Sequence, residues 1–292
     1  MLFGVAATPE GARPAFEQLR WTAPGAERAL LSEQPSACLV PGNETLVRSG
    51  RGLFGAPTLL GGQAAKAGLS CASCHINGRD NLHFLLAGVS GAPGTADVTN
   101  SFFSTARGNG RFDPVVIPDL ATPGKVARDP ATRALEAFIR NLIVEEFGGQ
   151  EPTPAMLDAL ATYVRAVRAC PGGQSVGRRL GDQLSAIDDG VAGAQLMIDR
   201  ADPQGAALSI ASIRHQLGLI AERYAAPGLA REREELLAAS RALQAIGDGD
   251  TARTGPVLAR WKGEFGKGLA KRLQRAEGRS LYDANRLAES LR

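Results

Sequence analysis

Residues 70–84, SCASCHINGRDNLHF, carry the side chains with the clearest chemical potential in this chain. Cys71, Cys74 and His75 follow one another in the order C-x-x-C-H. Two thiols three residues apart on a tight turn can each form a thioether with one vinyl group of the same porphyrin, and the following histidine then coordinates the iron. The spacing therefore predicts one covalently bound haem c, with His75 as the proximal iron ligand.

Two other kinds of site share the C-x-x-C spacing. A zinc site needs two further ligands, and the sequence has no second C-x-x-C and no H-x₃-H pair. A redox dithiol of the thioredoxin type needs a βαβ context, which the flanking residues lack. Both are weaker interpretations than covalent haem.

A longer pattern around the motif resembles the bacterial di-haem cytochrome c peroxidases and the related methylamine-utilisation enzymes. The pattern comprises GLFGAPTLLGGQAAKAGLSCASCHINGR, SGAPGTADVTNSFFS and a helix–Gly-Gly–helix tail, over about residues 40–170. The resemblance implies a cytochrome c-like domain that matures in the periplasm. Family peroxidases carry two C-x-x-C-H motifs, with one haem storing an electron and the other meeting peroxide, whereas this chain has one motif.

The iron ligand on the side of the haem opposite His75 distinguishes an electron carrier from an enzyme. Small electron-carrying cytochromes place a methionine there, and none lies between His75 and the helix that holds Met156. We expect Met156 and Met197 to be core residues. His83 is the first candidate for the distal ligand, while His215 is a weaker one that requires the C-terminal part of the chain to pack over the haem. An open or water-occupied position is the third possibility.

Three more side chains are weaker candidates for roles at this site. Arg107 and Arg111 are candidates for hydrogen bonds to the haem propionates, although solvated loop arginines are an equally simple explanation. Glu136 follows the Pro-rich loop. The resemblance implies a role for it, because family peroxidases have an acidic residue at this place that acts in acid–base catalysis on peroxide. A position on the helix surface is the simpler interpretation of Glu136.

The other two cysteines, Cys38 and Cys170, lie just outside the segment that looks like a folded module. In an exported protein such a pair is typical of a disulfide, and two buried thiols are the alternative. Because covalent haem attachment implies maturation outside the cytoplasm, we expect a periplasmic or exported protein. The first residues, MLFGVAATPEGA, lack the basic start of a signal peptide and are interpreted as a signal remnant or a loose terminus.

The pattern of apolar residues and helix start signals predicts an all-α protein. Asn43 is a candidate N-cap for a helix over residues 43–54, and Asp129-Pro130 and Thr153-Pro154 are start signals for two more. Phe138 belongs to the apolar stripe expected for the second of these helices. Residues 55–128 are rich in Gly and Pro and predict long loops that wrap the haem, whose apolar faces supply the core that the loops lack.

The chain changes character after the Pro-Gly-Gly run at residues 171–173. Apolar residues at helical spacing then predict four helices in an antiparallel bundle. The predicted domains are an N-terminal extension over residues 1–37, a cytochrome c-like haem domain over 38–173 and a helical bundle over 174–292.

The composition is that of a globular protein, with 44% hydrophobic and 22% charged residues. The formal net charge is +3, with basic residues in excess towards the C-terminus, where they suit either an acidic partner or a solvated helix face. The basic residues are not interleaved with aromatic ones, so nucleic acid is not an expected partner. No apolar run is long enough to span a membrane.

Three functions are compatible with these features. The function that requires the fewest features of the sequence is that of a mono-haem c-type cytochrome, which exchanges electrons with a protein partner. The second is a peroxidase-like enzyme that takes electrons from outside in place of the missing second haem. The third is a haem-based sensor in which the bundle reports binding. The sequence predicts no particular oligomeric state.

Overall fold

The computed structural model of the chain describes residues 15–103, 108–173, 175–247 and 251–292. Helices dominate these residues and the strands are short, so the predicted all-α class holds at this coarse level. The helices are α1 Glu27–Ser32, α2 Glu44–Phe54, α3 Pro57–Leu60, α4 Gly62–Ala67, α5 Cys71–Cys74, α6 Ala134–Asn141, α7 Pro154–Ala166, α8 Leu180–Asp199, α9 Pro203–Arg223, α10 Ala230–Gly247, α11 Thr251–Lys267, α12 Leu269–Ala276 and α13 Ala284–Ser290. The strands are β1 Glu33–Pro35, β2 Cys38–Leu39, β3 Thr95–Ala96, β4 Val115–Val116, β5 Val167–Arg168 and β6 Ser175–Gly177.

Helices α2 and α7 begin at the residues that the sequence predicts. The side chain of Asn43 accepts a hydrogen bond from the N–H of Leu46 at 3.1 Å, and Oγ1 of Thr153 accepts one from the N–H of Met156 at 3.3 Å. Pro154 occupies the first turn of α7, where its missing N–H leaves no hydrogen bond unmade. These caps fix the starts of the two longest helices between Cys38 and Cys170.

The same two helices cross at a glycine. A Cβ atom on Gly50 of α2 would overlap the carbonyl of Ala159 and lie 2.8 Å from Cβ of Tyr163, both in α7. One turn further along α2, the ring of Phe54 packs edge-on against that of Tyr163, with 5.2 Å between centroids. The absence of a side chain at Gly50 therefore lets the helix backbones approach closely.

The segment between α2 and α6 is largely irregular, as its Gly and Pro content predicts. The described part of it contains α3, α4, α5, two 3₁₀ turns and the antiparallel β3–β4 ladder. The loops pack apolar side chains, among them Phe84, Val89 and Ile117, into a shared core. That these loops wrap a haem stays a prediction.

The start of α6 differs from the prediction. Asp129 caps a single 3₁₀ turn, Pro130–Thr132, by accepting a hydrogen bond from the N–H of Ala131. Arg133 then adopts a left-handed conformation with φ of 53°, which breaks the helix, so α6 begins only at Ala134. The expected place of Phe138 in the apolar stripe is wrong, because its side chain is 59% exposed.

The predicted disulfide between Cys38 and Cys170 is confirmed, with 5.0 Å between the two Cα atoms. Two antiparallel ladders accompany it, β2 with β5 and β1 with β6. Cys38 pairs with Arg168 in the first, and Gln34 pairs with Val176 in the second. The two ends of the segment that carries the motif are therefore joined both covalently and by backbone hydrogen bonds.

The C-terminal part contains α8 to α13, joined by short connections. The first three predicted helices correspond to α8, α9 and α10, while the fourth is divided at Gly268 into α11 and α12. Helices α8 and α9 pack against each other and against α2. At this junction Gly52 of α2 lies beside Gly190 of α8, and Oγ of Ser212 donates a hydrogen bond to the Gly52 carbonyl at 2.7 Å.

Buried apolar side chains form two clusters. One extends from Trp21 to Val167 and includes Met197 and Ala206 from the bundle helices. The other combines Phe16 and Leu31 with side chains from α8 onwards. The predicted domain boundaries stay a prediction. Among the described residues, no helix is both long and apolar enough to cross a lipid bilayer.

Candidate functional site

The C-x-x-C-H motif forms one compact turn. Helix α5 consists of Cys71 to Cys74, and Ser70 before it makes reciprocal capping hydrogen bonds with Ser73. His75 follows directly as the C-terminal cap, and its N–H donates to the carbonyl of Cys71 at 2.8 Å. The local sequence thus places two thiols and an imidazole on one turn of backbone.

Both thiols are free and neutral. Neither cysteine is in a disulfide, whereas Cys38 and Cys170 are joined by one. Burial raises the pKa of each thiol to about 12. Reactive dithiols have lowered pKa values instead, so these cysteines do not have the character of a redox dithiol.

The imidazole of His75 is also held neutral. Burial lowers its pKa to about 4, while the backbones of Arg79 and Pro118 and the charge of Asp119 act in the opposite direction. Its Nδ1 atom is buried and has no hydrogen-bond partner. A neutral imidazole is the form that binds a metal, since the lone pair of the ring nitrogen is then available.

Arg79 ties the turn after the motif to a distant part of the loop. Its Nε and Nη2 atoms donate to the two carboxylate oxygens of Asp119 at 2.7 and 2.6 Å, and Nη1 donates to the carbonyl of Ser36 at 2.8 Å. Asp119 directly follows Pro118, whose backbone acts on His75. We therefore regard Arg79 and Asp119 as positioning residues for His75.

Arg128 performs a similar task at the end of α7. Its Nη1 atom donates to the carbonyls of Val164 and Arg165, both at 2.8 Å, and its Nη2 atom to that of Leu120. This fastens the Pro118–Leu120 segment to the last turn of α7. Sequence reasoning misses Arg79, Asp119 and Arg128, because their partners lie far along an irregular loop where no periodic pattern exists.

His83 lies close in sequence to the motif and is connected to it through Asn81. The N–H of His83 donates to Oδ1 of Asn81 at 3.0 Å, and Nδ2 of Asn81 donates to the carbonyl of Ser73 at 2.8 Å. The carbonyl of His83 accepts a hydrogen bond from the N–H of Ala23. These contacts fix its backbone, and its role as a distal ligand stays a prediction.

The weaker candidates have different surroundings. Arg111 is exposed, and Arg107 lies outside the described residues. Glu136 is buried, so the simpler interpretation of a surface position is wrong. Its two carboxylate oxygens accept hydrogen bonds from Arg165 at 2.8 and 2.7 Å, and these bonds lower its pKa. Its role in acid–base work on peroxide stays a prediction.

His215 lies on α9, in the C-terminal part of the chain. It lines a cavity of about 400 Å³ whose wall also includes Ala72 and Ser73, the two residues between the motif cysteines. Burial lowers the pKa of His215 to about 4, and its Nε2 atom is 3.6 Å from Oε1 of Glu17. His215 and residues of α5 therefore line the same cavity.

Groups of three or more His, Cys, Asp or Glu side chains arranged to hold a metal ion are absent from the described part of the chain. Comparison with protein-family models, with characterised proteins and with solved structures gives no significant match. The function is therefore argued from the site itself.

Proposed function

We propose that this chain is a mono-haem c-type cytochrome that binds its haem covalently and exchanges electrons with a protein partner. The observation that carries the proposal is the turn of α5, where two free thiols three residues apart are followed directly by a half-buried, neutral imidazole. One turn with these three groups is what double thioether attachment and proximal ligation require.

The residues present fit a haem. Cys71 and Cys74 would hold it covalently, and His75 would supply an iron ligand. The imidazole of His75 is held neutral, the form in which a ring nitrogen can bind iron, and its buried Nδ1 atom has no hydrogen-bond partner. A porphyrin brings four nitrogen donors, so no cluster of three protein ligands is needed. When bound, the haem supplies reversible one-electron chemistry.

The surrounding residues have separate tasks in this proposal. Arg79 and Asp119 hold together the two backbone segments that act on His75, at Arg79 and at Pro118, and so set the position of its ring. Cys71 and Cys74 pack, partly buried, against the apolar core formed by the loops and by α2 and α7, which gives the site a low dielectric environment. A low dielectric environment of this kind is one of the means by which a protein sets a reduction potential.

The sixth iron position favours a second candidate function, a peroxidase-like haem enzyme. Met156 and Met197 are completely buried in the cores, as predicted, and contribute to helix packing. With no methionine available, an open or water-occupied position would allow peroxide or a diatomic gas to bind, whereas a position held by His83 or His215 would be closed to them. A haem-based sensor is the third candidate for the same reason.

Mass spectrometry of the intact protein tests the attachment. We expect a thioether-linked haem on the protein produced in a host that matures cytochromes c, and its loss in Cys71→Ser/Cys74→Ser. The matched control is Cys38→Ser/Cys170→Ser, which removes the other two cysteines and should keep the haem. A protein that never carries covalent haem would overturn all three haem functions.

Absorption spectra separate the carrier from the enzyme. A six-coordinate, low-spin spectrum that neither peroxide nor carbon monoxide changes supports electron transfer. A high-spin ferric spectrum with rapid reaction with peroxide supports the peroxidase instead. Comparison of His83→Ala with His215→Ala identifies the sixth ligand, because only loss of the true ligand converts a low-spin spectrum to a high-spin one.

We further propose that the protein resides in the periplasm or is exported. The Cys38–Cys170 disulfide supports this location, since disulfides persist in oxidising compartments.

A further inference from the structure

A groove of about 420 Å³ lies between α10 and α11, two helices of the bundle that pack against each other. Its apolar lining comes from Ala242, Ala245 and Ile246 of α10 and from Val257 and Trp261 of α11. Residues three or four positions apart lie on one side of a helix, so each helix contributes one face to the groove. The groove shares no lining residue with the cavity beside His215 and is a separate feature.

The floor of this groove is apolar and recessed. Ile246 and Trp261 are 9% and 8% exposed, whereas Val257 is 43% exposed. The ring of Trp261 stacks on that of Phe265 with 5.1 Å between centroids, which fixes the indole in the floor. Apolar side chains of a second molecule could therefore enter the groove and be removed from water there.

Two exposed arginines of α11, Arg253 and Arg260, also line the groove. Within the described residues, neither guanidinium makes an ion pair. Glu264 is the one carboxylate among the described lining residues, so the wall keeps a net positive charge. An apolar floor with unpaired cations at its edge suits a partner that is itself both apolar and acidic.

The positive charge continues along the chain beyond the groove. Residues 253–292 contain ten Lys and Arg but only four Asp and Glu. Ion pairs with carboxylates of α8 and α10 engage three of the ten. Others, among them Lys267, Lys271 and Arg275, are exposed and form no ion pair with the rest of the described chain. Such an excess attracts an acidic partner over about 10 Å at 0.1 M salt.

The length of the groove fits a helix. Its lining residues on α11 extend from Arg253 to Glu264, which is about 16 Å or about three turns of an α-helix. A groove between two helices, with an apolar floor and charged edges, is the type of surface that binds the apolar face of an amphipathic helix.

Other occupants fit less well. A lipid surface requires apolar side chains that project outwards, whereas the floor of the groove is recessed. A second copy of this chain would have to supply an acidic helix. In α10, the most acidic candidate, Glu232 and Glu235 already form ion pairs with Arg279 and Arg272.

We propose that the groove between α10 and α11 is the docking site for an acidic amphipathic helix of a partner protein. The apolar face of that helix lies on Ile246, Val257 and Trp261, and its carboxylates pair with Arg253 and Arg260. The site requires no haem, and it gives the bundle a role in recognising a partner.

Fluorescence polarisation with the full-length protein and labelled synthetic peptides tests the site. The probe is an amphipathic helix with leucines at i, i+3, i+4 and i+7 and glutamates beside them, and its counterpart has lysines in place of the glutamates. We expect the acidic peptide to bind at least about tenfold more tightly than the basic one. Its affinity should fall as NaCl rises from about 50 to about 500 mM, because salt screens exposed charges.

Variants locate the binding. Arg253→Gln/Arg260→Gln should lower the affinity for the acidic peptide about fivefold or more, and Val257→Gln about threefold or more. All three side chains are exposed, so the variants should fold. The controls are Arg286→Gln in α13 and Val116→Gln in β4, which change exposed residues elsewhere and should leave the affinity within about twofold.

Three outcomes would overturn the proposal. The first is equal binding of the two peptides, or binding of the acidic one that the groove variants leave unchanged. The second is binding to phosphatidylglycerol–phosphatidylcholine vesicles that is lost in Arg253→Gln/Arg260→Gln, which would assign the face to a lipid surface. The third is self-association in sedimentation that the same variant abolishes, which would assign it to a second copy. Because none of these measurements needs haem, they are independent of the haem functions proposed above.

Discussion

Arg79 shows how a single side chain can position the imidazole of the motif. It bridges the turn after α5 to Asp119 through two hydrogen bonds in a half-buried site. Bidentate pairs of this kind are stronger and more directional than ordinary surface ion pairs. The backbones of Arg79 and of Pro118, the residue before Asp119, both act on His75, so the pair determines how firmly that ring is held.

We predict that Arg79→Gln lowers the free energy of unfolding by about 2 kcal/mol, since it leaves a half-buried carboxylate without its partner. Urea unfolding of Arg79→Gln, Asp119→Asn and the double variant gives the coupling energy between the two side chains. A coupling energy near zero would contradict the positioning role. In a haem-loaded protein, Arg79→Gln should also shift the reduction potential, whereas a purely structural defect would leave it unchanged.

Glu17 makes stability depend on pH. Burial raises its pKa from 4.5 to about 7, so the folded state favours the protonated carboxyl. The folded protein then binds more protons than the unfolded chain between these values, and stability falls as the pH rises through this window. We predict that Glu17→Gln matches the wild type near pH 4.5 and is more stable by about 2 kcal/mol above pH 7. Chemical unfolding at a series of pH values checks this, and a difference that does not change with pH would contradict it.

At the residue scale, the sequence predicts groups whose chemistry is local. The C-x-x-C-H turn needs only adjacent residues, and the Cys38–Cys170 pair follows from elimination among four cysteines. Arg79 with Asp119 could not be predicted, because the two lie 40 residues apart in a loop without periodicity. The burial of Glu136 is missed for a related reason, since it depends on Arg165 from another helix.

At the scale of elements, the contact between α2 and α7 depends on Gly50. We predict that Gly50→Ala destabilises the protein by about 3 kcal/mol, because the new methyl group would overlap the backbone of α7 at Ala159. The matched control is Gly218→Ala in α9, where no atom lies within 4 Å of the added Cβ. Removing that glycine should stabilise the protein by about 0.5–1 kcal/mol. Equal effects of the two substitutions in thermal unfolding would contradict the close crossing.

The residues at which helices begin could be predicted more reliably than the side of each helix that faces the core. Asn43 and Thr153 cap their helices as expected, because capping is a contact within one turn. Phe138 was assigned to the core from spacing alone and is exposed. The left-handed residue Arg133 shifts the start of α6 to Ala134, and within the expected stripe Leu135 and Ile143 are buried while Phe138 lies on the exposed side. Spacing predicts a face only when the phase of the helix is known.

At the scale of the whole molecule, the disulfide closes a segment of 132 residues around the motif. On the chain-entropy model, a bridge over a loop of this length stabilises the folded state by about 5 kcal/mol. We predict that Cys38→Ser/Cys170→Ser loses most of this free energy of unfolding. Denaturant unfolding measures the loss, and reduction of the wild type by a thiol should reproduce it. A loss below about 1 kcal/mol would show that the β1–β6 and β2–β5 ladders suffice.

The bundle is the part whose existence could be predicted but whose role could not. Its helices follow from apolar spacing, which is a property of each helix alone. The cavity that it forms with α5 depends on side chains from residue 16 to residue 282, and no pattern along the chain brings these together. Packing between distant segments decides such a feature.

The Cys38–Cys170 bridge also determines where a mechanical load would pass. A force applied to the two ends of the chain would pass from residue 37 to residue 171 through the sulfur–sulfur bond. The hydrogen bonds between β1 and β6 would carry part of the same force. Helices α2, α5 and α7 lie inside the closed ring, so the covalent path of the load bypasses them. The enclosed chain, about 450 Å when extended, would stay slack until a reductant opened the bridge. A protein tethered through its bundle or its N-terminus would therefore keep the motif undisturbed under strain.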